Sequence, residues 1–182
     1  GFIVFNEKNY PNLTALFDHL GVRTNPTEMS FALSLNHGAY EYSGSGFGGF
    51  FGQPRNLASP RHWRLAADIS RFFHSARARV AQAPVEITLG EFLSSERFSR
   101  AFIEDHILPM GAAIWSSDMH KMLGFPARSF VEFYANHGML QFRDRPAWRS
   151  VAGGSRSYVE AILANSELEV QPRNHVREIL RQ

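Results

Sequence analysis

Two short motifs in this sequence have residue types and spacings that could support chemistry. Residues 44–49 read Gly-Ser-Gly-Phe-Gly-Gly and match the GxGxxG letters of a dinucleotide-binding fingerprint. That fingerprint requires a helix opening at the third glycine, so that the helix N-terminus faces a pyrophosphate. Residues 50–54 read Phe-Phe-Gly-Gln-Pro and do not favour such a helix. We therefore predict a flexible loop after a hairpin, without a dinucleotide site.

The second motif, Gly153-Gly154-Ser155-Arg156-Ser157, is close to the nucleophile elbow of serine hydrolases. It has Ser157 where the GxSxG pattern needs a glycine, so hydrolysis is not favoured. The paired glycines lie between a predicted strand and a predicted helix, where a flat group could lie against bare backbone. The helix N-terminus would favour a polar or negatively charged ligand group. A tight strand-to-helix turn without any ligand explains the same pattern equally well.

Eight histidines raise the question of a metal centre. They do not form the HExxH pair of a zinc helix, and Asp118-Met119-His120 is a weak ligand set. Cysteine is absent, which excludes disulfides, zinc–thiolate sites and thiol nucleophiles. We expect no metal site, and a reducing, cytoplasmic setting is compatible with the missing thiols.

An apolar run, Ile107 to Trp115, lies near the middle of the chain between polar helical segments. It is too short to cross a bilayer, which requires roughly 20 apolar residues. The run is therefore predicted to be buried. Its small residues, Gly111, Ala112 and Ala113, would let another element or a flat ligand approach closely, and a tightly packed core helix is the alternative.

Apolar spacing and capping signals predict a mixture of helices and strands. Helices are predicted from Pro11 to Gly21, from Ser59-Pro60 to about Ala81, after Thr88, from Ser95 to His106, from Ser117 to Leu123, over 125–138 and after Gly154. Strands are predicted over 1–6, 29–35, 39–42, 139–142, 148–151, 168–170 and 176–180, with a turn at Asn25-Pro26. Because helices and strands do not alternate regularly, we expect an α+β fold, largely helical with a small antiparallel or mixed sheet.

The composition fits one globular domain with a sizeable core, or at most two small ones. The chain has 182 residues, 44% of them hydrophobic and 13% aromatic, and its formal net charge is only +2. No nucleic-acid partner is expected from that charge. We see neither a signal peptide nor a transmembrane segment in the sequence.

The helix predicted over 60–81 is strongly basic. Its arginines at 61, 64, 71, 77 and 79 are opposed within the helix by the single acid Asp68. The predicted apolar stripe consists of Trp63, Ala66, Ala67, Ile69, Phe73, Ala76 and Val80. Such a helix can make a peripheral contact with an anionic membrane, and an ordinary solvated face is the alternative.

Several segments near the end of the chain resemble the flavin-containing amine oxidase superfamily. The similar residues are Trp148 to Ser155, Tyr158 to Ile162, Leu168 to Val170 and Val176 to Ile179. In that superfamily a V-x-GGS segment leads a helix, and the backbone of a valine in a later strand meets the adenine of FAD. The resemblance thus implies cofactor-binding roles for Gly153, Gly154 and Val176.

The rest of the chain resembles one bacterial branch, the predicted NAD/FAD-binding, amine-oxidase-like proteins often associated with cyclopropane fatty acid synthesis. The similar segments are 1–7, 10–13, 29–31, 42–44, 108–115 and 136–138. The resemblance implies that residues 1–182 are the substrate-side portion of an FAD-dependent oxidoreductase, helical over about 55–138 and sheet-forming over about 1–54 and 139–182. Its Rossmann FAD module would lie before Gly1, and a last FAD-binding segment would follow Gln182.

The resemblance further implies hydride transfer from a substrate to flavin, or a flavin-assisted double-bond change. An apolar interior suggests a hydrophobic or acyl small-molecule substrate. Pocket-lining candidates are Tyr42, Trp115, Phe130, Tyr134 and Trp148. No catalytic acid or base can be named, and the electron acceptor and oligomeric state stay open. The alternative function is a non-catalytic domain that binds a lipid or membrane surface or serves as a scaffold.

Overall fold

A computed structural model describes residues 2–142, 144–168, 170–171, 173–175, 178 and 180. The chain forms two compact units. The sheet unit combines Gly1–Thr27 with Ala147–Gln182, and the helical unit is Glu28–Pro146. The hairpin that sequence reasoning assigned to the sheet-forming part belongs instead to the helical unit, because its Leu33 and Tyr42 are buried in the helical core.

The fold is α+β, as the sequence predicted. In chain order its elements are β1 (Phe5–Asn6), α1 (Pro11–His19), β2 (Thr24–Thr27), β3 (Ala32–Leu35), β4 (Tyr40–Ser43), α2 (Gly46–Phe50), α3 (Pro54–Leu57), α4 (Pro60–Gln82), α5 (Leu89–Ser95), α6 (Arg100–Phe102), a π-helical turn (Ile103–Ile107), α7 (Leu108–Trp115), α8 (Met119–Met122), α9 (Ala127–Asn136), β5 (Trp148–Val151) and α10 (Ser155–Ala164). No helix among the described residues has the length and hydropathy of a membrane span.

The sheet unit contains a three-stranded antiparallel sheet in the order β1-β5-β2. The turn predicted at Asn25-Pro26 is wrong, because both residues lie in β2, where Pro26 stands opposite Arg149. An edge strand tolerates a proline, since one side of its backbone needs no partner in the sheet. Phe17 of α1 packs edge-on against Phe5, with ring centroids 5.3 Å apart, and is fully buried.

The predicted hairpin of the helical unit is confirmed. Strands β3 and β4 pair antiparallel, with Leu33 opposite Tyr42. Residues 36–39 connect them, and the first three, Asn36, His37 and Gly38, have positive φ angles. Asparagine and glycine adopt that left-handed region at lower cost than other residues, which explains why this tripeptide makes the turn.

Helix α4 begins and ends within one residue of its predicted bounds. The Ser59 hydroxyl caps it by accepting a hydrogen bond from the backbone N–H of His62. The predicted apolar stripe is partly wrong. Its core-facing side includes Leu65 and Phe72, both fully buried, whereas Trp63 is half exposed. The true stripe also contains two polar residues, His62 and Asp68, so a search for apolar periodicity alone selected a neighbouring face.

Capping signals placed the shorter helices with mixed accuracy. The capping box of Thr88 and Glu91 forms as predicted at the start of α5. The next cap is Ser99 and not Ser95, which is the last residue of α5. Likewise, α8 is capped by Asp118, whose carboxylate accepts two backbone N–H groups, and not by Ser117. Several adjacent serines and aspartates can cap a helix, and tertiary packing selects among them.

Three predicted segments differ from the structure. Residues 46–50 form the short helix α2 and not a flexible loop, and residues 139–142 lie in a turn and in irregular structure and not in a strand. The GxGxxG letters still do not form a dinucleotide fold, because β4 pairs antiparallel with β3 in a hairpin. Leu168 and Val170 are not in a strand. The strand predicted over 176–180 falls mostly outside the described residues.

The apolar run forms α7, and its small residues serve packing. A methyl group built on the buried Gly111 would lie 3.0 Å from the Met122 side chain and 3.1 Å from the Phe130 ring. Both neighbours are themselves buried to at least 99%. The glycine therefore lets α7 approach α8 and α9 closely, which is the packing alternative foreseen from the sequence.

We predict that Gly111→Val destabilises the fold by about 1–3 kcal/mol, because the added atoms overpack a site with little room to relax. Chemical denaturation followed by circular dichroism measures this loss. Ala113→Val is the matched control, since Ala113 is exposed on the same helix. Equal stability of the two variants would contradict the close contact at Gly111.

Candidate functional site

The glycine pair of the sheet unit forms an open strand-to-helix turn. Gly153 and Gly154 both have φ angles of +80° and both are exposed. A methyl group built on Gly154 would meet no heavy atom within 4 Å. The space around Gly154 would therefore admit a side chain. The positive φ angle of this residue is what favours glycine here. The result is a stretch of bare backbone open on one side.

The first turn of α10 adds hydrogen-bond donors to this glycine turn. Gly154 is the N-cap residue, and no side chain caps the helix. The first backbone N–H groups of a helix have no i−4 partner within it. That of Ser157 donates here to the Gly154 carbonyl oxygen at 3.2 Å, so the groups available to a polar ligand are those of Ser155 and Arg156. The positive end of the helix dipole lies at the same place. A ligand with a flat or anionic part fits this chemistry.

The two serines that follow the glycine pair, Ser155 and Ser157, form hydrogen bonds to backbone carbonyl oxygens. The Ser157 hydroxyl lies 2.7 Å from the Gly154 carbonyl oxygen and 3.0 Å from that of Ala152. Ser155 donates to the Phe2 carbonyl oxygen at 3.5 Å. Both hydroxyls thus act as donors to backbone oxygens, which is a structural role and does not favour the serine hydrolase alternative.

The remaining predicted residues of this unit are less informative. Val176, the predicted contact to adenine, lies outside the described residues. Trp148 is 92% buried in the central strand β5, where it stands opposite Asn6 and Thr27. It belongs to the sheet unit, whereas the other four predicted pocket residues belong to the helical unit.

Three of those four residues form one aromatic cluster in the helical unit. The Trp115 ring lies 5.5 Å from that of Phe130, which stacks on Tyr134 at 4.4 Å. Phe130 and Tyr134 are fully buried. They pack against one another as core side chains, and burial raises the pKa of the Tyr134 hydroxyl. The structure therefore places these three rings together in and against the core, and their predicted role in lining a substrate pocket stays a prediction.

Tyr42 is the predicted pocket residue with the richest polar surroundings. Its hydroxyl lies 2.7 Å from the backbone oxygen of Asp105 and 3.0 Å from Nδ1 of His106. A carbonyl oxygen can only accept, so the single Tyr42 proton is donated to Asp105. His106 must then carry its proton on Nδ1 and donate it to the Tyr42 oxygen.

This arrangement leaves the other nitrogen of His106 without a partner. Nε2 is buried and has no hydrogen-bond partner among the described residues. With the proton on Nδ1, Nε2 presents a lone pair. Burial lowers the pKa of His106 to about 3, so the ring stays neutral at physiological pH. An unpaired buried acceptor costs about 1–3 kcal/mol, and a ligand or water with a donor group would remove that cost.

His106 lies on the π-helical turn between α6 and α7. Such single turns within α-helices frequently occur at functional sites. Asp105 of the same turn accepts two hydrogen bonds from the Arg61 guanidinium, at 2.8 and 3.0 Å. The hydrogen bond to Asp105 raises the pKa of Arg61 further above its ordinary value. The pair fixes the position of the turn relative to α4.

A second tyrosine–histidine pair lies beside the first. His62 donates from Nε2 to the Phe50 carbonyl oxygen at 2.9 Å, so its Nδ1 accepts from the Tyr40 hydroxyl at 2.8 Å. Burial lowers the pKa of His62 and raises that of Tyr40 to about 12. The Tyr42 ring contacts both the Tyr40 and the His62 rings, at 6.0 and 5.8 Å.

A groove with a volume of about 400 Å³ opens along the hairpin. Tyr42 lines it together with Leu33, Glu41, Gly49 and Gln53. Of the predicted pocket residues, Tyr42 is thus the one that lines this groove. The histidines were missed as site residues because their partners lie 22 and 64 residues away, beyond any local pattern.

The arginines of α4 are paired with carboxylates. Acids of other elements supply most of the partners, which the count within the helix could not include. The pairs are Arg61 with Glu104 and Asp105, Arg64 and Arg71 with Asp68, Arg77 with Glu132, and Arg79 with Glu96. Among the described residues, no three histidine, aspartate or glutamate side chains converge as a metal ligand set.

A scan against protein-family models finds no match for this chain, and a search of the curated proteins finds none either.

We predict that His106→Phe makes the protein less sensitive to acid. The folded state keeps His106 neutral, whereas the unfolded chain binds a proton below the ordinary pKa of 6.5. Stability thus falls as the pH falls from about 6.5 towards 3, by about 1.4 kcal/mol per pH unit from this group. Urea unfolding at pH 7 and pH 5 should show the variant gaining about 2 kcal/mol relative to the wild type.

The same variant loses one hydrogen bond to Tyr42 and also removes the unpaired Nε2. These effects oppose each other, so its stability at pH 7 should stay within about 1 kcal/mol of the wild type. A wild type and variant with parallel pH profiles would show that His106 is not buried as a neutral ring.

Proposed function

We propose that this chain is the substrate-side portion of an FAD-dependent oxidoreductase that resembles the flavin-containing amine oxidases. Its substrate is a hydrophobic, acyl-type small molecule. The observation that carries the proposal is the open turn at Gly153 and Gly154, at the site where the resemblance implies contact with the cofactor. Bare backbone, free space at Gly154 and the uncapped end of α10 are compatible with a flat, polar cofactor.

The residues present fit FAD on this chain's side of the site. A flat ring system needs backbone without a Cβ in its way, and Gly154 offers that. The first N–H groups of α10 suit an acceptor atom of the cofactor. When bound, FAD would supply the redox chemistry, and the protein would supply binding, orientation and a dry site.

The space for a substrate in the helical unit is the groove that Tyr42 lines. The aromatic core of this unit is filled by its own rings, with Phe130 and Tyr134 buried in it and Trp115 packed against it partly buried. Within it, Tyr42 and His106 are polar groups held in fixed orientation. The free lone pair of His106 Nε2 could accept a hydrogen bond from a substrate hydroxyl or from a bound water. That acceptor would orient the substrate without needing to change its protonation state.

The alternative of a lipid-surface domain built on the arginines of α4 has less support. Each of those arginines has a carboxylate within 4.0 Å, so they do not form a uniform cationic face. Arg71 also lies over the Phe98 ring at 3.9 Å and donates to the Glu96 carbonyl oxygen. Its charge serves the packing of α4 on its neighbours.

The test of the proposed function is the visible absorption spectrum of the longer protein that would carry the FAD module. We expect flavin bands in that protein, which should bleach under anaerobic conditions when a fatty acyl substrate is added. A colourless protein, even after FAD is supplied, would overturn the oxidoreductase proposal. Bleaching by amines but not by acyl compounds would overturn the substrate class alone.

The role of the glycine turn has its own prediction. Gly154→Ala in the same protein should lower the fraction of bound flavin, because the new methyl group occupies the open side of the turn. Gly21→Ala is the matched control, since Gly21 also has a positive φ and no heavy atom within 4 Å of an added Cβ. Alanine at a left-handed position costs about 1–2 kcal/mol, whereas Gly154, with φ of 80° and ψ of −177°, lies in a region essentially restricted to glycine, so circular dichroism melts must show that both variants fold. Equal flavin content in the two would remove Gly154 from the cofactor site.

A further inference from the structure

An exposed apolar patch lies where the hairpin of the helical unit meets the start of α4. We call it the aromatic patch and define it by Phe47, Phe51, Leu57 and Trp63. Phe47 is 72% exposed, while Leu57 and Trp63 are each about half exposed. The Phe51 ring lies 4.7 Å from that of Phe47 and 4.8 Å from that of Trp63. The rings thus form a continuous surface.

The aromatic patch is rigidly supported from below. Phe51 packs edge-on against Phe50 at 5.2 Å, and both contact the buried ring of His62. His62 is in turn fixed by its bonds to Tyr40 and to the Phe50 carbonyl oxygen. A large apolar surface held in place and left in contact with water marks an interaction site.

Trp63 has the geometry of an interfacial tryptophan. Its indole N–H donates to the Leu57 carbonyl oxygen at 2.8 Å. The ring can therefore enter an apolar medium without carrying an unsatisfied donor into it. Tryptophan is enriched at membrane–water interfaces because it combines an apolar body with one polar group.

The charges around the aromatic patch favour an anionic surface. Residues 42–67 contain three arginines, at positions 55, 61 and 64, and no aspartate or glutamate. The Arg61 charge is compensated by Asp105 and Glu104. Arg55 is exposed and donates to the Ala39 carbonyl oxygen. Arg64 is exposed and pairs loosely with Asp68 at 3.8 Å, a carboxylate that Arg71 already contacts at 2.9 Å, so Arg64 and Arg71 together carry one positive charge more than their shared acid. Arg55 and Arg64 would meet lipid phosphates when the rings reach the bilayer.

We propose that the aromatic patch docks the protein on the surface of an anionic membrane. Phe47, Leu57 and Trp63 would enter the headgroup and acyl boundary, while Arg55 and Arg64 pair with lipid phosphates. A second copy of this chain fits the patch less well, because it would bring the same two cations and no acid to the contact. The proposal stands without any flavin chemistry.

The proposed docking surface is the aromatic patch, whereas the sequence suggested the basic face of the helix over 60–81. The whole arginine face of α4 is not needed, and only its first turns contribute.

The test uses the 182-residue chain and vesicles of phosphatidylcholine with roughly one third phosphatidylglycerol, a fraction high enough to give a clear negative surface potential. Co-sedimentation measures the partition constant. We expect the wild type to bind these vesicles and Phe47→Ser to bind about tenfold more weakly, as loss of one inserted phenyl ring implies. The matched control is Val85→Ser. Val85 is 68% exposed beyond the far end of α4, and its replacement should change binding by less than about twofold.

Two arginine variants test whether the aromatic patch or the whole basic helix binds the membrane. Arg64 and Arg77 have similarly exposed side chains, at 66% and 67%. Arg64→Gln should weaken binding by about fivefold, the effect of one cation at a lipid surface, while Arg77→Gln should leave it nearly unchanged. Equal losses in both variants would overturn the patch in favour of the whole helix.

Three other outcomes would overturn the proposal. The wild type could fail to bind the vesicles, or Phe47→Ser could bind as well as the wild type. The Phe47 variant could instead abolish a dimer detected by light scattering, which would make the patch a contact between copies. Circular dichroism melts of each variant confirm folding, and the exposed positions of Phe47, Val85 and both arginines make the fold tolerant of these changes.

Discussion

The helical unit depends on the way Asp105 is held. The residue is 96% buried, and a buried carboxylate requires a partner that restores its lost hydration. The Arg61 guanidinium does so with two hydrogen bonds, and the backbone oxygen of the same residue receives the Tyr42 proton. One residue thus connects α4, the hairpin and the π-helical turn. Removing either partner would leave a polar group buried and unpaired, so the three elements hold their positions together.

A second buried carboxylate, Asp68, has the same role about two helical turns further along α4. It accepts a hydrogen bond from the Ser99 backbone N–H at 3.0 Å and one from Arg71 at 2.9 Å. Burial alone would raise the pKa of Asp68, but the hydrogen bonds from Ser99 and Arg71 outweigh it and lower that pKa. Hydrogen bonds of two buried acids, Asp68 and Asp105, therefore hold α4 against the rest of its unit. Apolar side chains pack around these polar contacts.

These buried hydrogen bonds between distant residues explain which parts of the structure the sequence could predict. Local signals predicted the hairpin turn at Asn36, the cap at Ser59, the capping box at Thr88 and the strand, glycine pair and helix at the chain's end. Each depends on contacts between residues a few positions apart. The buried face of α4 was misassigned because His62 and Asp68 are polar, and only distant partners such as Tyr40 and Ser99 make their burial favourable.

The candidate site likewise has parts that the sequence could predict and parts that it could not. The glycine turn could be proposed from sequence, since positive φ angles and helix starts have local signatures. The pairing of Tyr42 with His106 could not, because no sequence pattern joins residues 64 positions apart. The π-helical turn also escaped prediction, since amphipathic periodicity assumes 3.6 residues per turn throughout a helix. Similarly, the exposure of Trp63 could not be predicted, because the sequence did not show that Leu65 and Phe72 occupy the core-facing side of α4.

The π-helical turn has a consequence for how the chain tolerates insertions and deletions. Such a turn holds one residue more than an α-helical turn, so it accommodates a single extra residue without ending the helix. Deleting one residue between Ile103 and Ile107 would let the segment continue as a regular α-helix into α7. The two flanking helices would nearly keep their present phase, because the i to i−5 hydrogen bonds of the π-turn already take up the extra residue. Gly111 would then stay against Phe130, and the change would fall on the residues of the turn itself, His106 and its contact with Tyr42 among them.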